Sequence, residues 1–545
     1  MSSPSVIQPP ASSSLPPQSG LLEEERPARP FEAWATWLIV AVIILVRIPF
    51  LLLHALQEDA YITLRSARHL AEQGDFSFNL HQHFPGTASL LHPLFVAAID
   101  LLSPRVVVVG EQIFGIVCIA AGCWFITRAL CTDLAQQRTA WLLTACWPIA
   151  LVMSYSGTEA PLLALVLGIC IFALARPGHS ILFAAGILLL PLVRPDAIAY
   201  ALLFCIAMFL LDRRAAFGGV AALAGGCGLF LSASRITSGH LLPTSIRATE
   251  IAYHPGHDLS SIIDRISDLF FDRSFLVPTS DSYYLIRLSP VFLLFAIAAF
   301  ALAFHLWRGR RERIVLGTLA IATVLVPLAY AYNGVLVSRY LYPANWIAAT
   351  VAIVVLIRLL MTGTFRIAGA ALLAIVWIAL IFLQWTNALA ASTRDYHYRG
   401  DIGRYLASIS HGRGTLFLEP AGIIPYLSGL SADDETAVVS PRIVGFMERN
   451  PDSWWFDYVS DAQPDYIVQP ASFDEYRTAE DYTLTPDQQS WFQQHYKLLR
   501  RTHYAPAAYH PSPFLQKILH HAPVGDYLIF ARRDLDTSPQ GGSTR

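Results

Sequence analysis

Lysine is nearly missing from this chain of 545 residues: of its 38 basic residues, only Lys497 and Lys517 are lysines. Charge of either sign is scarce as well, at 14%, where soluble globular proteins carry about 25%. Hydrophobic residues make up 54%, and the mean hydropathy is +0.46. These values exclude an ordinary soluble domain and point to a polytopic membrane protein. No basic patch interleaved with aromatics occurs, so no nucleic-acid partner is expected. The arginine bias has two readings: bidentate holding of a phosphate, or the codon usage of a GC-rich genome. The seven cysteines, Cys118, Cys123, Cys131, Cys146, Cys170, Cys205 and Cys227, lie in or beside apolar segments without metal-ligand spacing. They read as small buried hydrophobes. None lies beyond residue 387, so no disulfide staples the C-terminal part. Internal repeats are lacking. No small-x-small cleavage site follows the first apolar run, which argues against a signal peptide. Residues 1–30 are rich in Ser and Pro and read as a disordered cytoplasmic tail.

What is present is a series of apolar segments, at roughly 35–53, 88–104, 107–128, 139–154, 159–175, 180–193, 197–211, 215–234, 286–306, 314–332, 340–358 and 367–386. Loops rich in Arg should be cytoplasmic. These are WRGRRER (307–313), Asp212-Arg213-Arg214, Arg176-Pro177-Gly178 and the stretch from Arg358 to Arg366. The opposite, extracytoplasmic side then receives a first loop (54–87), SGTEAP (156–161), Arg194-Pro195-Asp196, a long loop (235–285), residues 332–339 and everything after 387. This alternation holds if 88–104, which is short and contains His92, Pro93 and Asp100, is re-entrant or juxtamembrane. The expectation is an α-helical polytopic membrane protein with about eleven crossings over residues 31–386. A small extracytoplasmic α/β domain (387–545) follows, with strands at LFLEPAG (416–422) and PDYIVQP (464–470) and a helix at 487–496. Trp454-Trp455 there reads as core packing, an interfacial anchor or a sugar platform.

Ionisable groups gather at the outer ends of the apolar segments. The first loop begins Gln57-Glu58-Asp59-Ala60-Tyr61-Ile62-Thr63-Leu64-Arg65. As a helix it carries an apolar stripe of Ala60, Leu64, Ala67 and Ala71, with Glu58, Arg65, Arg68 and His69 on another face. That pattern fits an amphipathic helix on the membrane surface, with Asp59 as its N-cap. His81, His83 and His92 follow; Glu58, His81 and His83 are candidate ligands for a divalent cation (Mg, Mn or Ca). Glu159 opens an apolar segment, where the helix dipole favours an acid. Arg194 and Asp196 sit between two apolar segments, paired with each other or facing a pocket. Arg247 begins the long loop, and Arg339, Tyr340 and Tyr342 stand at a further outer end. Carboxylates and arginines at one membrane face suit a reaction on a lipid-linked phosphate.

In order along the chain, EDAYITLR, SGTEAPL, RPD, LLPTSIR (241–247), RYLYPA (339–344) and the outer-domain LEPAGIIPYLSG (418–429) resemble the motif set of the polytopic GT-C glycosyltransferases that use polyprenyl-phosphate sugars, in particular bacterial members of the arabinofuranosyltransferase and mannosyltransferase type. The resemblance spans about residues 35–470. Glu58, Asp196, Arg247 and Glu419 depart from the family's usual residues while conserving charge. The resemblance implies an inverting sugar transfer from a polyprenyl-phosphate donor to an acceptor hydroxyl of a cell-envelope glycan or glycolipid, at the outer face of the bacterial cytoplasmic membrane. Asp59 would be the general base, and Glu58 would position the acceptor or hold a metal. Arg65, Arg68, Arg194, Arg247 and Arg339, with Glu159, Asp196 and Tyr340, would form the donor-phosphate site. A transporter or flippase, or a non-catalytic scaffold for lipid-linked sugars, would need similar groups.

Overall fold

The computed structural model describes residues 30–239, 241, 251, 258–267, 289–333, 338–362, 366–479, 482–510, 512–514, 516 and 525–535. Arg247, the N-terminal tail and most of the 235–285 loop lie outside them. Among the described residues, helices long and apolar enough to cross a membrane run over Trp34–Leu53, Pro104–Leu130, Arg213–Thr237, Arg310–Tyr332, Arg339–Met361 and the continuous Ile367–Ser410 run. Shorter apolar helices cover Leu91–Leu102, Ala160–Ala175, Ser180–Val193, Pro195–Leu211 and Phe292–Leu306. The expected 139–154 segment is instead two helices, Leu134–Ala145 and Pro148–Tyr155, because Pro148 cannot continue the first and starts the second. At 12 residues, Leu91–Leu102 is about 18 Å long, well short of a bilayer core of about 30 Å.

The helices pack closely where side chains are smallest. A Cβ on Gly168 would stand 2.7 Å from the Gly122 carbonyl oxygen, and one on Gly122 would stand 2.8 Å from that of Ala164. Backbone-to-backbone contact of this kind is how helices associate when lipid offers no hydrophobic contrast. Outward-facing Trp37, Leu38, Leu52, Leu372, Ile375 and Ile378 are exposed large apolar groups, as a lipid-facing surface requires. The helix ends sort into two sets. Glu159, Arg194, Arg339 and Asp59 meet at one end of the bundle. At the other end, Arg176 binds the Arg128 and Cys131 carbonyls, Arg311 that of Leu174, and Arg358 stacks on Trp307.

The C-terminal part forms a five-stranded sheet: β1 (Thr415–Leu418), β2 (Ser431–Asp434), β3 (Tyr466–Pro470), β4 (Tyr496–Thr502) and β5 (Tyr527–Arg532). The order is β2-β1-β3-β5-β4; β1 runs parallel to β2 and β3, while β5 runs antiparallel to β3 and β4. Alternation gives the sheet two apolar faces. Phe417, Ile467 and Leu528 pack outward under helices with Trp455, Phe473 and Phe492. Trp455 is fully buried 5.7 Å from the Phe417 ring, so of its expected roles core packing holds. Leu416, Leu418, Val468 and Ile529 face the membrane part and share one core with Leu56, Tyr61, Leu64, Phe78 and Val96.

That shared core corrects the expectation of a helix lying on the membrane surface. The first-loop helix, Ala60–Gln73, is buried from Ala60 through Ala67 and works as a wedge between the bundle and the outer domain. Its charged face grips one short outer-domain helix, Ile423–Ser428. At the N-terminal end of that helix, Glu58 Oε1 accepts the Gly422 N–H and, at 3.2 Å, the Ile423 N–H. At the C-terminal end, Arg65 donates to the carbonyls of Pro425 at 2.5 Å and Leu430 at 2.6 Å. An acid at the start and a base at the end complement the dipole, and the acid satisfies N–H groups that a short helix leaves unpaired. Between them, the Tyr61 ring meets that of Tyr426 at 5.4 Å, and Arg68 lies 4.2 Å over the same ring while bonding its hydroxyl.

Gly422 is required by this contact, since a Cβ there would sit 2.5 Å from Glu58 Oε1 and closer still to its carbonyl oxygen. We expect Gly422→Ala to lower the melting temperature and expose the outer domain to limited proteolysis. Gly445→Ala, inside a helix with nothing within 4 Å of the new methyl, should be neutral or slightly stabilising.

Candidate functional site at the membrane exit

Asp59 stands at the N-cap position of Ala60–Gln73, yet its side chain makes no capping bond. Its carboxylate, 44% exposed, instead pairs with the Arg339 guanidinium from the start of Ser338–Thr362. Tyr340 follows, its ring between two cations: Arg339 at 5.5 Å and Arg194 at 4.7 Å. Tyr330 stacks on the same ring at 5.2 Å. Arg194 in turn forks onto Asp196, with Nε to Oδ1 at 3.0 Å and Nη2 to Oδ2 at 2.8 Å, and reaches Glu159 at 3.2 Å. Asp59, Glu159, Arg194, Asp196, Arg339 and Tyr340 therefore form one connected group.

Local sequence explains the placement. Pro195 holds Arg194 in an extended conformation, φ −153° and ψ 131°, so the chain turns sharply between two helices and brings Asp196 back onto the guanidinium. Gly157 takes φ +69°, and a Cβ there would lie 2.7 Å from that of Ala60. This lets the turn before Glu159 press directly against the Asp59 helix. Glu159 also makes no capping bond and is spent on Arg194, so the dipole account of this acid is incomplete. Arg194 is only 4% exposed, and two carboxylates stabilise its charge there.

Other expected members lie elsewhere. Arg65 is 6% exposed, and its nitrogens are engaged by the Phe78, Pro425 and Leu430 carbonyls and by Asn79. Buried and bonded through all three nitrogens to the first loop and the outer domain, it is spent on structure. Arg68 is held by Tyr426. Glu58, adjacent to Asp59, faces the other way: Arg399, Asp395 and Glu419 are the charges beside it. His81 is exposed with φ +66° and leans on Asp75, and His83 is likewise exposed with φ +53°. Among the described residues, no three His, Cys, Asp or Glu side chains come together as metal ligands. The expected set of Glu58, His81 and His83 is therefore not assembled: one member is bound to the outer domain and the two histidines belong to a separate surface turn.

Two features escaped the sequence reading. Fully buried His92 bonds Glu111 at 2.7 Å, joining Leu91–Leu102 to the next span. An acid inside an apolar run is the signal that would have found Glu111. The second is the connection from the last span to the sheet, where Ser392–Arg399 forms a π-helix. It sets Arg394 and Arg399 onto buried Asp395 and brings Arg399 to the Tyr527 hydroxyl at 2.8 Å. Such wide turns often occur at functional sites.

No protein-family model matches the chain, and no curated protein matches it. Solved structures do. ArnT from Cupriavidus metallidurans, bound to undecaprenyl phosphate, aligns with a TM-score of 0.56 at 12% identity over 91% of this chain and 98% of that one. The Archaeoglobus fulgidus oligosaccharyltransferase in complex with zinc and sulfate aligns at 0.54, with 11% identity over 91% and 88%. AglB from the same organism, with an inhibitory peptide and a dolichol-phosphate, aligns at 0.50, with 12% identity over 81% and 70%. The likeness is one of fold: a bundle of apolar helices carrying a C-terminal sheet domain.

Burial pushes the Glu58 carboxyl up from its ordinary 4.5 to about 7, with Asp395 and Glu419 adding to the shift and Arg399 opposing it. A carboxyl whose folded pKa is raised favours the folded state while protonated. Stability is therefore lost as pH rises from about 4.5 through about 7. Glu58→Gln keeps an acceptor for the two N–H groups without the charge. We expect thermal melts from pH 5 to 8 to fall for the parent protein and to be flatter for the variant.

Proposed function

We propose that this protein is an inverting glycosyltransferase that moves a sugar from a polyprenyl-phosphate donor to an acceptor hydroxyl of a cell-envelope glycan or glycolipid. The observation that carries this reading is the connected group of Asp59, Arg339, Tyr340, Arg194, Glu159 and Asp196 at one end of a lipid-facing helical bundle. The undecaprenyl phosphate and dolichol-phosphate named with the similar structures support a lipid-phosphate ligand. The Arg-rich loops at the opposite end support an active site and an outer domain (387–545) on the outer face of a bacterial cytoplasmic membrane, with residues 31–386 as the membrane-embedded catalytic part.

The chemistry follows from how firmly each guanidinium is held. Arg194 is locked by two carboxylates, and its role is to hold the Tyr340 ring in place. Arg339 has a half-exposed partner, Asp59, and can exchange it. A donor phosphate arriving beside Tyr340 takes Arg339 and so unmasks Asp59. Asp59 then accepts the proton of the acceptor hydroxyl while that hydroxyl oxygen attacks the anomeric carbon from the face opposite the phosphate. The bond from that carbon to the phosphate oxygen breaks, and polyprenyl phosphate leaves with the electron pair, its charge held by Arg339. Arg247 is a further candidate to hold that phosphate. No step is derived through a metal.

Purified protein in lipid, offered a panel of polyprenyl-phosphate sugars and a membrane acceptor pool, tests the reading. One donor should support transfer. Arg339→Gln should lower kcat by about 10²–10³ with an unchanged melting temperature. A chelator arm reads whether a divalent cation shares the work of the guanidiniums. No transfer from any donor, with lipid still bound, would replace this reading with transport or scaffolding.

A further inference from the structure

We propose that the end of the bundle remote from Asp59 holds a second lipid site, which takes the phosphodiester headgroup of an anionic phospholipid. A recess of about 70 Å³ opens there between helix ends, and Arg176, Arg311, Glu312 and Trp307 line it together with the apolar Leu130 and Leu316. The Asp59 group and this recess are joined by the same helices. Ala160–Ala175 begins beside Glu159 and ends at Arg176, a run of 16 residues and about 24 Å. Ser338–Thr362 begins beside Arg339 and carries Arg358, which stacks 4.7 Å over Trp307 at the rim of the recess. The separation is close to the thickness of a bilayer core.

The charges in the recess are arranged for an anion. Arg176 uses Nη2 on the carbonyls of Arg128 and Cys131, at 2.8 and 2.9 Å, and its Nε and Nη1 have no partner among the described residues. Arg311 uses Nη1 on the Leu174 carbonyl at 3.3 Å, and its Nε and Nη2 likewise have none. Each guanidinium is thus oriented by backbone and keeps donors for a phosphodiester. The carboxylate of Glu312 accepts the Gly309 N–H at 3.1 Å in a capping box, so it is already engaged at the helix start. Two guanidiniums against one engaged carboxylate leave the lining net positive, which favours a glycerol-type anionic headgroup over a zwitterionic one. The apolar wall would take the first methylenes of the acyl chains, which a free phosphate does not possess. Basic recesses between membrane helices are suited to anionic lipids in this way.

Native mass spectrometry of the full chain, delipidated and then given equal phosphatidylglycerol and phosphatidylethanolamine, tests the proposal. Phosphatidylglycerol should be retained preferentially, by about fivefold. Arg311→Gln should abolish the preference. Arg310→Gln, in the same first helical turn but outside the recess, where Arg310 bonds the Leu210 carbonyl, should keep it. Millimolar glycerol phosphate should fail to displace the bound lipid. Equal retention of the two lipids, equal effects of the two variants, or displacement by glycerol phosphate would each overturn it.

Discussion

The fold turns on one grip. Glu58 and Arg65, seven residues apart on one helical face, close on the two ends of a single short helix, Ile423–Ser428. The bonds cost little to orient, because the helix dipole and its unpaired terminal groups already call for an acid at one end and a base at the other. Three carbonyls and a side-chain amide engage Arg65; Pro425 and Asn79 have a second donor, so losing Arg65 strips the buried Phe78 and Leu430 carbonyls, at about 1–3 kcal/mol each. The grip also sets which way the wedge helix faces. With Glu58 turned to the outer domain, the adjacent Asp59 is left at the edge of the bundle, free to meet Arg339.

Two neighbouring carboxylates thus face opposite partners. Burial favours the neutral form of Glu58 against the pull of its backbone donors, whereas Asp59 is paired with a cation it can exchange. The same contrast runs through the arginines. Arg65 and Arg194 are buried and multiply bonded, whereas Arg339 is partly exposed and, among the described residues, pairs with one carboxylate. A phosphate entering the group would find one guanidinium able to move to it and another fixed behind the Tyr340 ring. Rigid placement of most groups with one exchangeable pair is the kind of preorganisation that electrostatic catalysis needs.

Much of this was legible in the sequence because membrane burial leaves a coarse signal. Every described apolar candidate became helix, since a backbone in lipid must satisfy its own hydrogen bonds. The break in 139–154 was written in Trp147-Pro148 and could have been read. Asp59, Glu159, Arg194, Asp196 and Arg339 were singled out as ionisable groups at helix ends, and they do meet. What was not legible was partner choice. Glu58 bonds a residue 364 positions away and Arg65 one 360 away, and no periodicity encodes such distances. The amphipathic pattern of residues 58–71 fitted a lipid surface as well as a protein one, because both accept an apolar stripe beside a charged face. β2, β4 and β5 were missed: β2 is a short run with two acids, Ser431-Ala432-Asp433-Asp434, β4 alternates poorly between buried and exposed positions, and β5 pairs with β3 far back in the chain as well as with β4.

The division of labour between the two acids is the claim most directly open to test. Single-turnover transfer from bound donor should be measured for Asp59→Asn and Glu58→Gln side by side, with donor binding and melting temperature recorded for each. The account predicts that Asp59→Asn binds donor, melts normally and loses about 10²–10⁴-fold in transfer. Glu58→Gln should retain transfer within a few-fold and change only the pH dependence of stability. Loss of transfer in Glu58→Gln with folding intact, or an active Asp59→Asn, would contradict it.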